Sequence, residues 1–323
     1  MRVLVTGGCG FIGAAVVRLA MERGDQVLNV DRRRKANPVP ALGPISGRPG
    51  YARLEADISD RSLMRAIFRE FKPGAVIHLA SAGEDQDENR LFDSEVSGAF
   101  AILEASRQNM AQLDDTARQR FRIVHALHAD IDSTTAPTPA DAARAAAAAL
   151  FESWSQAHSL PLVTCVAGDV FGPWQSDSSL LFRLIASLLS GRRFTFDMGG
   201  ETVRDWLPLH DFATGLLRAA DVAAPLSRFE FSAGAERRDV DFAEAVCALL
   251  DARSPMPGGA SWSSLVATEG NGAKASAGPM LDPTEAEDTL GWRSKGFHAG
   301  LDRALNWALT RYAPPVTPAI AAE

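Results

Sequence analysis

The order of hydrophobic and polar residues predicts that strands and helices alternate over the first half of the chain. Short apolar runs, several of them apolar throughout, alternate with segments in which apolar residues recur at helical spacing. This alternation is typical of βαβ units around a parallel sheet. The predicted strands are Val3–Thr6, Gln26–Val30, Tyr51–Glu55, Ala75–Leu79, Arg122–Ala126 and Leu162–Ala167, and the predicted helices are Ile12–Arg23, Asp60–Phe71, Leu91–Met110 and Ala140–His158.

The pattern changes after residue 168, where helical segments are separated by longer stretches without a clear period. We therefore predict an α/β fold, with a Rossmann-type doubly wound parallel sheet followed by a smaller C-terminal α/β lobe. The predicted sheet domain spans residues 1–168. The lobe spans residues 169–312 and interleaves with the first domain at a cleft for substrate. Residues 313–323 are rich in proline and alanine, which predicts a frayed tail.

Composition narrows the function classes without identifying one. The chain has 323 residues, 46% of them hydrophobic, and a formal net charge of −7, which argues against a general binder of nucleic acid or of membrane surfaces. No apolar run reaches the roughly 18 residues that a membrane span requires. Cys9, Cys165 and Cys247 lie far apart without metal-ligand spacing, so we expect buried free thiols and no metal site. These features predict a cytoplasmic protein.

A glycine motif follows the first predicted strand and opens the first predicted helix. Gly7, Gly10 and Gly13 have the spacing of a dinucleotide-binding turn, in which glycines permit a tight turn and close approach of a pyrophosphate. The N–H groups at the start of the helix, together with the helix dipole, stabilise phosphate charge. Asp31 ends the next strand, where a carboxylate can accept hydrogen bonds from ribose hydroxyls. The predicted cofactor-binding residues of the turn are Gly7, Gly10, Phe11, Ile12 and Gly13.

The choice between NAD and NADP depends on the residues around Asp31. The carboxylate would repel the 2′-phosphate of NADP, which favours NAD. Arg32, Arg33 and Arg34 follow directly and could hold that phosphate, so NADP remains the alternative. The carboxyl ends of the strands line the crevice in which a dinucleotide lies. The further predicted cofactor contacts are Arg32, Asp57, Ile58, Leu79, Ala80 and Ser81.

Several motifs together resemble those of a known family. The stretches TGGCGFIG, NVD, ADI, HLAS, FGPW, RDWLPLHD and DPTEAEDTLGW are similar to those of the extended short-chain dehydrogenases/reductases. The likeness is greatest to the nucleotide-sugar epimerase and dehydratase branch, in particular its dTDP-glucose 4,6-dehydratase subfamily. The resemblance implies an NAD-dependent reaction on a nucleotide-diphosphate sugar. It also implies a homodimer that packs helices 91–110 and 140–158 of each subunit into a four-helix bundle.

The chain departs from this family at the residues that perform the chemistry. The resemblance places the catalytic Tyr-x-x-x-Lys pair at Ala140 and Arg144. Tyr51 and Tyr312 are the only tyrosines, and neither has a lysine four residues later. Arg144 can donate to the nicotinamide ribose, but a guanidinium cannot act as a base at neutral pH.

Other side chains are candidates for the missing roles. His128 and Asp130 follow the fifth predicted strand, close to the position implied for a substrate hydroxyl, and either could transfer a proton. Ordinary turn chemistry explains the same residues. Arg204 matches the family's diphosphate-binding arginine, although an ion pair with Asp205 or another carboxylate would also explain it, and Asp169 replaces an asparagine. Two hypotheses follow: a nucleotide-sugar enzyme with an atypical active site, or a catalytically silent NAD-binding regulatory or assembly protein.

Overall fold

A seven-stranded parallel sheet forms the centre of the protein. The computed structural model describes residues 1–32, 40–81, 87–129, 138–196, 199–234, 236–256, 258–268 and 278–312. The strands of this sheet are β1 (Arg2–Thr6), β2 (Gln26–Asp31), β3 (Tyr51–Glu55), β4 (Ala75–His78), β5 (Arg122–His128), β6 (Leu162–Ala167) and β10 (Ser227–Phe231). Their order across the sheet is β10-β6-β5-β4-β1-β2-β3, with every pairing parallel.

Helices cover both faces of this sheet, which explains why its inner strands are apolar throughout. Val3 and Val5 face one layer of helices and Leu4 faces the other, and all three side chains are completely buried. The helices of the first layer are α1 (Phe11–Glu22), α8 (Leu209–Val222) and α10 (Thr284–Leu290), and those of the second are α2 (Arg61–Phe71), α4 (Gly98–Gln112) and α6 (Pro139–His158). The predicted fold class is confirmed.

Local capping fixes the start of α6, the helix that carries two predicted site positions. Thr138 accepts a hydrogen bond from the Asp141 N–H, and the Asp141 carboxylate accepts one from the Thr138 N–H. Pro139 occupies the first turn, where its missing N–H is not needed. This reciprocal cap sets the rotation of α6 over the sheet, and with it the positions of Ala140 and Arg144.

The single helix predicted over Leu91–Met110 is interrupted in the structure. It consists of α3 (Glu88–Phe92), a π-helical turn at Asp93–Ser97, and α4. A π turn inserts one extra residue per turn and is found most often at functional sites. The break lies where α4 packs closely on the chain after β3, because a Cβ on Gly98 would lie 2.6 Å from Cδ1 of Ile58.

The smaller lobe has its own core beyond the carboxyl edge of the sheet. Aromatic side chains dominate it, and Trp206 stacks on Phe242 with ring centroids 4.0 Å apart. Its strands are β7 (Asp169–Phe171), β8 (Phe194–Thr195), β9 (Val203–Pro208), β11 (Glu236–Arg238) and β12 (Val266–Ala267). Its helices are α7 (Leu180–Leu189), α9 (Asp239–Arg253) and α11 (Phe297–Tyr312), and a further short helix, α5 (Asp115–Arg120), connects α4 to β5.

The two units exchange segments along the chain. After β9 the chain returns to the large sheet as α8 and β10, and then crosses back into the lobe. The return is explained by composition, since Phe229 and Phe231 of β10 are completely buried in the core of the large sheet. The boundary at residue 168 remains a prediction, and residues 209–231, which follow it in the chain, pack with the large sheet. The predicted tail, residues 313–323, lies outside the described residues.

Within the described ranges, no helix is long and apolar enough to cross a membrane. The three cysteines are buried and unpaired by disulfides. The same ranges contain no group of three or more His, Cys, Asp or Glu side chains arranged to hold a metal ion.

Candidate functional site

The glycine turn between β1 and α1 forms one wall of a cavity, the main cavity, which also reaches Ser81, His128 and Arg144. Gly7 has a φ of +73°, and a Cβ there would lie 2.6 Å from the backbone of Leu79 and Ala80. A Cβ on Gly13 would lie 2.1 Å from the Gly7 carbonyl oxygen. Gly10 is the N-cap residue of α1, and the first turn of that helix contains no acidic side chain. The turn is closed to side chains. The N–H groups of Gly7, Cys9 and Gly10 donate within the protein, so an anion would be bound by the N–H groups of the first turn of α1.

Asp31 is held beside this turn by a buried hydrogen bond. Its Oδ2 accepts the Cys9 N–H at 2.7 Å, and the residue is 8% exposed. The next residue, Arg32, pairs with Asp57 at 3.5 Å, and both line a second cavity of about 550 Å³. Ile58, by contrast, is buried in the core, so a cofactor contact there would have to use its backbone. Arg33 and Arg34 lie outside the described residues.

The main cavity has a volume of about 310 Å³ and runs from the glycine turn to the ends of β4, β5 and β6. Most of the predicted cofactor residues line it, and so do two side chains from α6 and the π turn. The lining includes Gly7, Gly10, Phe11, Ile12, Gly13, Leu79, Ala80, Ser81, Glu95, His128 and Arg144. Residues that the sequence assigns to the cofactor site are therefore distant in the chain but adjacent in this cavity.

Two buried histidines form the floor of this cavity. His78 on β4 and His125 on β5 lie side by side with ring centroids 5.5 Å apart, and Phe151 of α6 stacks on His125 at 4.1 Å. Burial lowers the pKa of His78 to about 4, and burial followed by the neighbouring His78 lowers the pKa of His125. His78 Nδ1 is 2.7 Å from Thr6 Oγ1. Both rings are therefore neutral at physiological pH.

A separate pocket of about 440 Å³ lies against the lobe and contains both predicted substrate-binding residues. Arg204 Nη1 donates to Asp169 at 3.1 Å, and its Nε donates to Asp239 at 2.9 Å. Burial lowers the pKa of Arg204, but the two carboxylates outweigh burial and raise it. Burial raises the pKa of Asp239 despite its bond to the arginine. The ion pair considered from the sequence is present, with Asp169 and Asp239 as partners in place of Asp205.

Comparison with known proteins decides the family. A model of the NAD-dependent epimerase/dehydratase family matches residues 3–229, which include the glycine turn, Asp31 and the parallel sheet except the first residue of β1 and the end of β10. The chain belongs to this family. The resemblance inferred from the motifs is therefore confirmed at the level of the family.

Similar proteins from bacteria share nearly the full length. A dTDP-glucose 4,6-dehydratase from Neisseria gonorrhoeae is 30% identical and covers 95% of each chain. A probable dTDP-glucose 4,6-dehydratase from Sinorhizobium fredii is 28% identical over 96% of this chain and 93% of its own. The structure of a Bacillus anthracis dTDP-glucose 4,6-dehydratase in complex with NAD superposes with a TM-score of 0.79 at 18% identity, covering 96% of this chain and 97% of its own. A Thermotoga maritima UDP-glucose 4-epimerase with UDP-glucose has a TM-score of 0.75 at 20% identity, covering 96% and 99%.

Ala140, at the position that the resemblance assigns to the family's tyrosine, has no side-chain group that can transfer a proton. Ala140 is 8% exposed and packs in a small apolar cluster with Leu91 and Ala143. The two tyrosines lie elsewhere: Tyr51 Oη accepts a hydrogen bond from Asn29 on β2, and Tyr312 donates to Asp177. Burial raises the pKa of Tyr51 and, with the Asp177 bond, raises that of Tyr312 to about 12. Neither phenol lines the main cavity.

Arg144 lies one helical turn further along α6 and faces the cavity. Its Nη1 pairs with Asp141 at 3.1 Å, and its Nε lies 3.4 Å from Ser81 Oγ. Ser81 Oγ in turn donates to Glu95 Oε1 at 2.7 Å. Glu95 was not among the sequence candidates. It lies four residues after Leu91 and three before Gly98, both buried, so the helical period predicts an inward carboxylate and could have indicated it.

The structure describes only one of the two predicted proton-transfer residues. His128 ends β5, is exposed and lines the mouth of the main cavity. Asp130 lies outside the described residues. Both assignments therefore remain predictions.

Proposed function

We propose that this protein binds NAD in the main cavity and uses it to oxidise and re-reduce a carbinol of a nucleotide-diphosphate sugar, through an active site without the family's tyrosine. The observation that carries this proposal is the single cavity that joins the glycine turn to Ser81, Glu95, His128 and Arg144. Family membership and the similar sugar-nucleotide enzymes support the substrate class.

The residues present fit the dinucleotide. A Cβ cannot be accommodated at Gly7 or Gly13, which matches a turn built for close packing around a pyrophosphate. Asp31 is fixed beside the turn and favours the free ribose hydroxyls of NAD over the 2′-phosphate of NADP. Arg32 already forms an ion pair with Asp57, so it is less available to bind a 2′-phosphate.

Bound NAD supplies the hydride acceptor, and the side chains of this chain supply the rest. Arg144 stays charged and donates to the nicotinamide ribose or to oxygen atoms beside it. His128, at the cavity mouth, is placed to hydrogen-bond the substrate oxygen. Ala140, which packs in an apolar cluster with Leu91 and Ala143, contributes no proton-transferring group.

The nucleotide diphosphate is proposed to reach the pocket around Arg204. This pocket adjoins the main cavity, since Val170 lines both. A diphosphate there must displace or share the bonds that Arg204 makes to Asp169 and Asp239. We therefore expect weak substrate binding in comparison with a site whose arginine is unpaired.

The test is incubation of purified, NAD-loaded protein with dTDP-glucose and with UDP-glucose. We expect conversion of at least one sugar, detected by mass spectrometry of the sugar nucleotide and by transient NADH absorbance. A sample fully occupied by NAD that converts neither sugar contradicts the proposal for both substrates. Gly13→Ala, designed to lose NAD, serves as the negative control.

A catalytically silent NAD-binding regulator is the second candidate. The observation that favours it is the neutralised Arg204, since two carboxylates already occupy the cation that would hold the substrate. NAD occupancy without sugar binding, measured by calorimetry with UDP and dTDP as ligands, is the expected result for this candidate.

Homodimerisation through residues 91–110 and 140–158 remains part of the proposal. The outer face of α6 carries exposed alanines at positions 142, 146 and 149, which would permit close helix packing. Light scattering that gives the mass of a monomer would contradict it. A cytoplasmic location is also proposed, on the three buried thiols without disulfides, which suit a reducing compartment.

A further inference from the structure

Three side chains form a hydrogen-bonded chain along the inner wall of the main cavity. We propose that Ser81 is a catalytic residue that accepts the hydroxyl proton of the bound carbinol while it passes its own proton to Glu95, with Arg144 positioning Ser81. The proposal rests on the function proposed above and names the residues that replace the absent tyrosine and lysine.

The geometry gives Ser81 both an acceptor and a donor role. Its hydroxyl donates to Glu95 Oε1 at 2.7 Å, so the proton already points to a carboxylate. Arg144 Nε donates to the same oxygen at 3.4 Å. Ser81 lines the cavity, and a hydroxyl oxygen can accept a second hydrogen bond from a substrate hydroxyl bound there. A serine alone is a poor base, and activation by an adjacent acceptor is what the pair supplies.

The position of the chain relative to the cofactor turn supports this role. Ser81 follows β4 at its carboxyl end, the edge of the sheet where a dinucleotide lies, and is exposed to the cavity. Glu95 is 5% exposed and comes from the π turn, which brings its carboxylate inward. The interruption of the helix before α4 therefore has a chemical consequence, because it places a carboxylate behind the serine.

The step is balanced in atoms and charge. Bound NAD⁺ would accept the hydride of the carbinol C–H bond, while the O–H proton would go to Ser81 Oγ and a carbonyl would form. The Ser81 proton moves to Glu95, which becomes a neutral carboxylic acid. In an epimerisation the same carbonyl is reduced again, which reverses each transfer and regenerates the ionised Glu95. Arg144 keeps its proton throughout and stabilises negative charge that develops on the serine and substrate oxygens.

The decisive variant is Glu95→Gln, which keeps the shape of the side chain and removes the proton acceptor. With NAD-loaded protein and dTDP-glucose or UDP-glucose, we expect the rate of NADH formation in a single turnover to fall by about 100-fold or more. NAD occupancy should be unchanged. The rate should depend on the presence of a carboxylate at position 95 and not only on the shape of the side chain, which a merely structural role would not require. Glu95→Asp should retain part of the rate.

Two further variants guard against misfolding and general effects. Ser81→Ala changes an exposed position and should show the same loss, so it decides the matter if Glu95→Gln lowers the melting temperature. Glu88→Gln makes the same chemical change at an exposed site one turn before the π segment, and it should leave the rate at the wild-type value.

The outcomes separate this proposal from the one on which it rests. Conversion of a sugar by the wild type and by both variants at equal rates overturns the Ser81–Glu95 relay and leaves the proposed function intact. No conversion by NAD-loaded wild type overturns both. Infrared spectroscopy gives an answer without turnover: the difference between wild type and Glu95→Gln should show an ionised carboxylate at pH 7, and a protonated Glu95 overturns the relay.

Discussion

The glycine turn at the head of α1 and the pocket around Arg204 treat a negatively charged ligand in opposite ways. The turn uses backbone N–H groups and admits no side chain at Gly7 or Gly13. The pocket uses a guanidinium, and Asp169 and Asp239 already neutralise it. Recognition by backbone cannot be altered without rebuilding the turn, whereas recognition by one side chain is altered by a single neighbouring carboxylate. The cofactor end is therefore constrained by its backbone, whereas the substrate end is constrained by individual side chains.

The largest expected effect is at the cofactor end. In Gly13→Ala the new Cβ would lie 2.1 Å from the Gly7 carbonyl oxygen, so either the turn or the helix must move. Overpacking against backbone at this distance exceeds the usual cost of about 1–3 kcal/mol, and we expect about 4 kcal/mol, or about a 1000-fold loss of NAD affinity. Isothermal titration calorimetry with NAD measures it.

Gly43→Ala is the matched control for that substitution. A Cβ there meets no atom within 4 Å, and its φ is not in the left-handed region. NAD affinity should stay within about twofold of the wild type, as for a surface change that touches nothing. Equal NAD affinity in Gly13→Ala and Gly43→Ala would show that the turn does not hold the cofactor, and the contrast between the two ends would fail.

The second prediction concerns how the stability of the fold depends on pH. The contribution of the cofactor end and that of the substrate end change with pH in opposite directions. The pKa of His78 is about 4 in the folded protein and 6.5 when unfolded, so the unfolded chain binds the proton more readily. The stability from the neutral ring is complete above pH 6.5 and is lost as the pH falls through 4, for a total of about 3 kcal/mol. Urea unfolding between these pH values should show the decline.

His78→Gln should reduce this pH dependence, and His298→Gln, at an exposed position, should leave it unchanged. The substrate end behaves in the opposite sense. Burial raises the pKa of Asp205 and of Asp239 above 3.8, so their ionisation weakens the fold as the pH rises through the raised values. A wild-type stability that stays constant from pH 6.5 to 4 would mean that the sheet histidines are not held neutral.

Much of the cofactor end could be predicted from sequence because its signals are local. Strand, turn and helix are contiguous over residues 2–22, and Asp31 ends the next strand along the chain. The apolar strands also indicated a sheet covered on both faces, because such strands have no polar face to expose. These features need no knowledge of distant contacts.

The substrate end and the relay could not be predicted in the same way, because their partners are far apart in the chain. Arg204 pairs with residues 35 positions away on either side, and antiparallel pairing of β9 with β11 is what aligns it with Asp239. Glu95 lies in a segment that reads as one continuous helix, and the helical period indicates an inward side chain there but not its partner Ser81. A π turn depends on packing against neighbouring elements, here Ile58 under Gly98, and leaves no periodic signature in the sequence.

The smallest expected effect tests the substrate end directly. Asp169→Asn keeps the hydrogen-bonding shape at Arg204 Nη1 but removes one of its two negative partners, which leaves the arginine charge available to a phosphate. Since both groups are partly exposed and screened by solvent, the gain is modest, and we expect about a fivefold increase in UDP or dTDP affinity. Asp241→Asn removes an equal charge from an ion pair with Arg238 outside the pocket lining and should leave that affinity unchanged. If Asp169→Asn binds UDP no better than Asp241→Asn, then Asp169 does not restrain Arg204, and either the remaining pair with Asp239 or the shape of the pocket excludes a diphosphate.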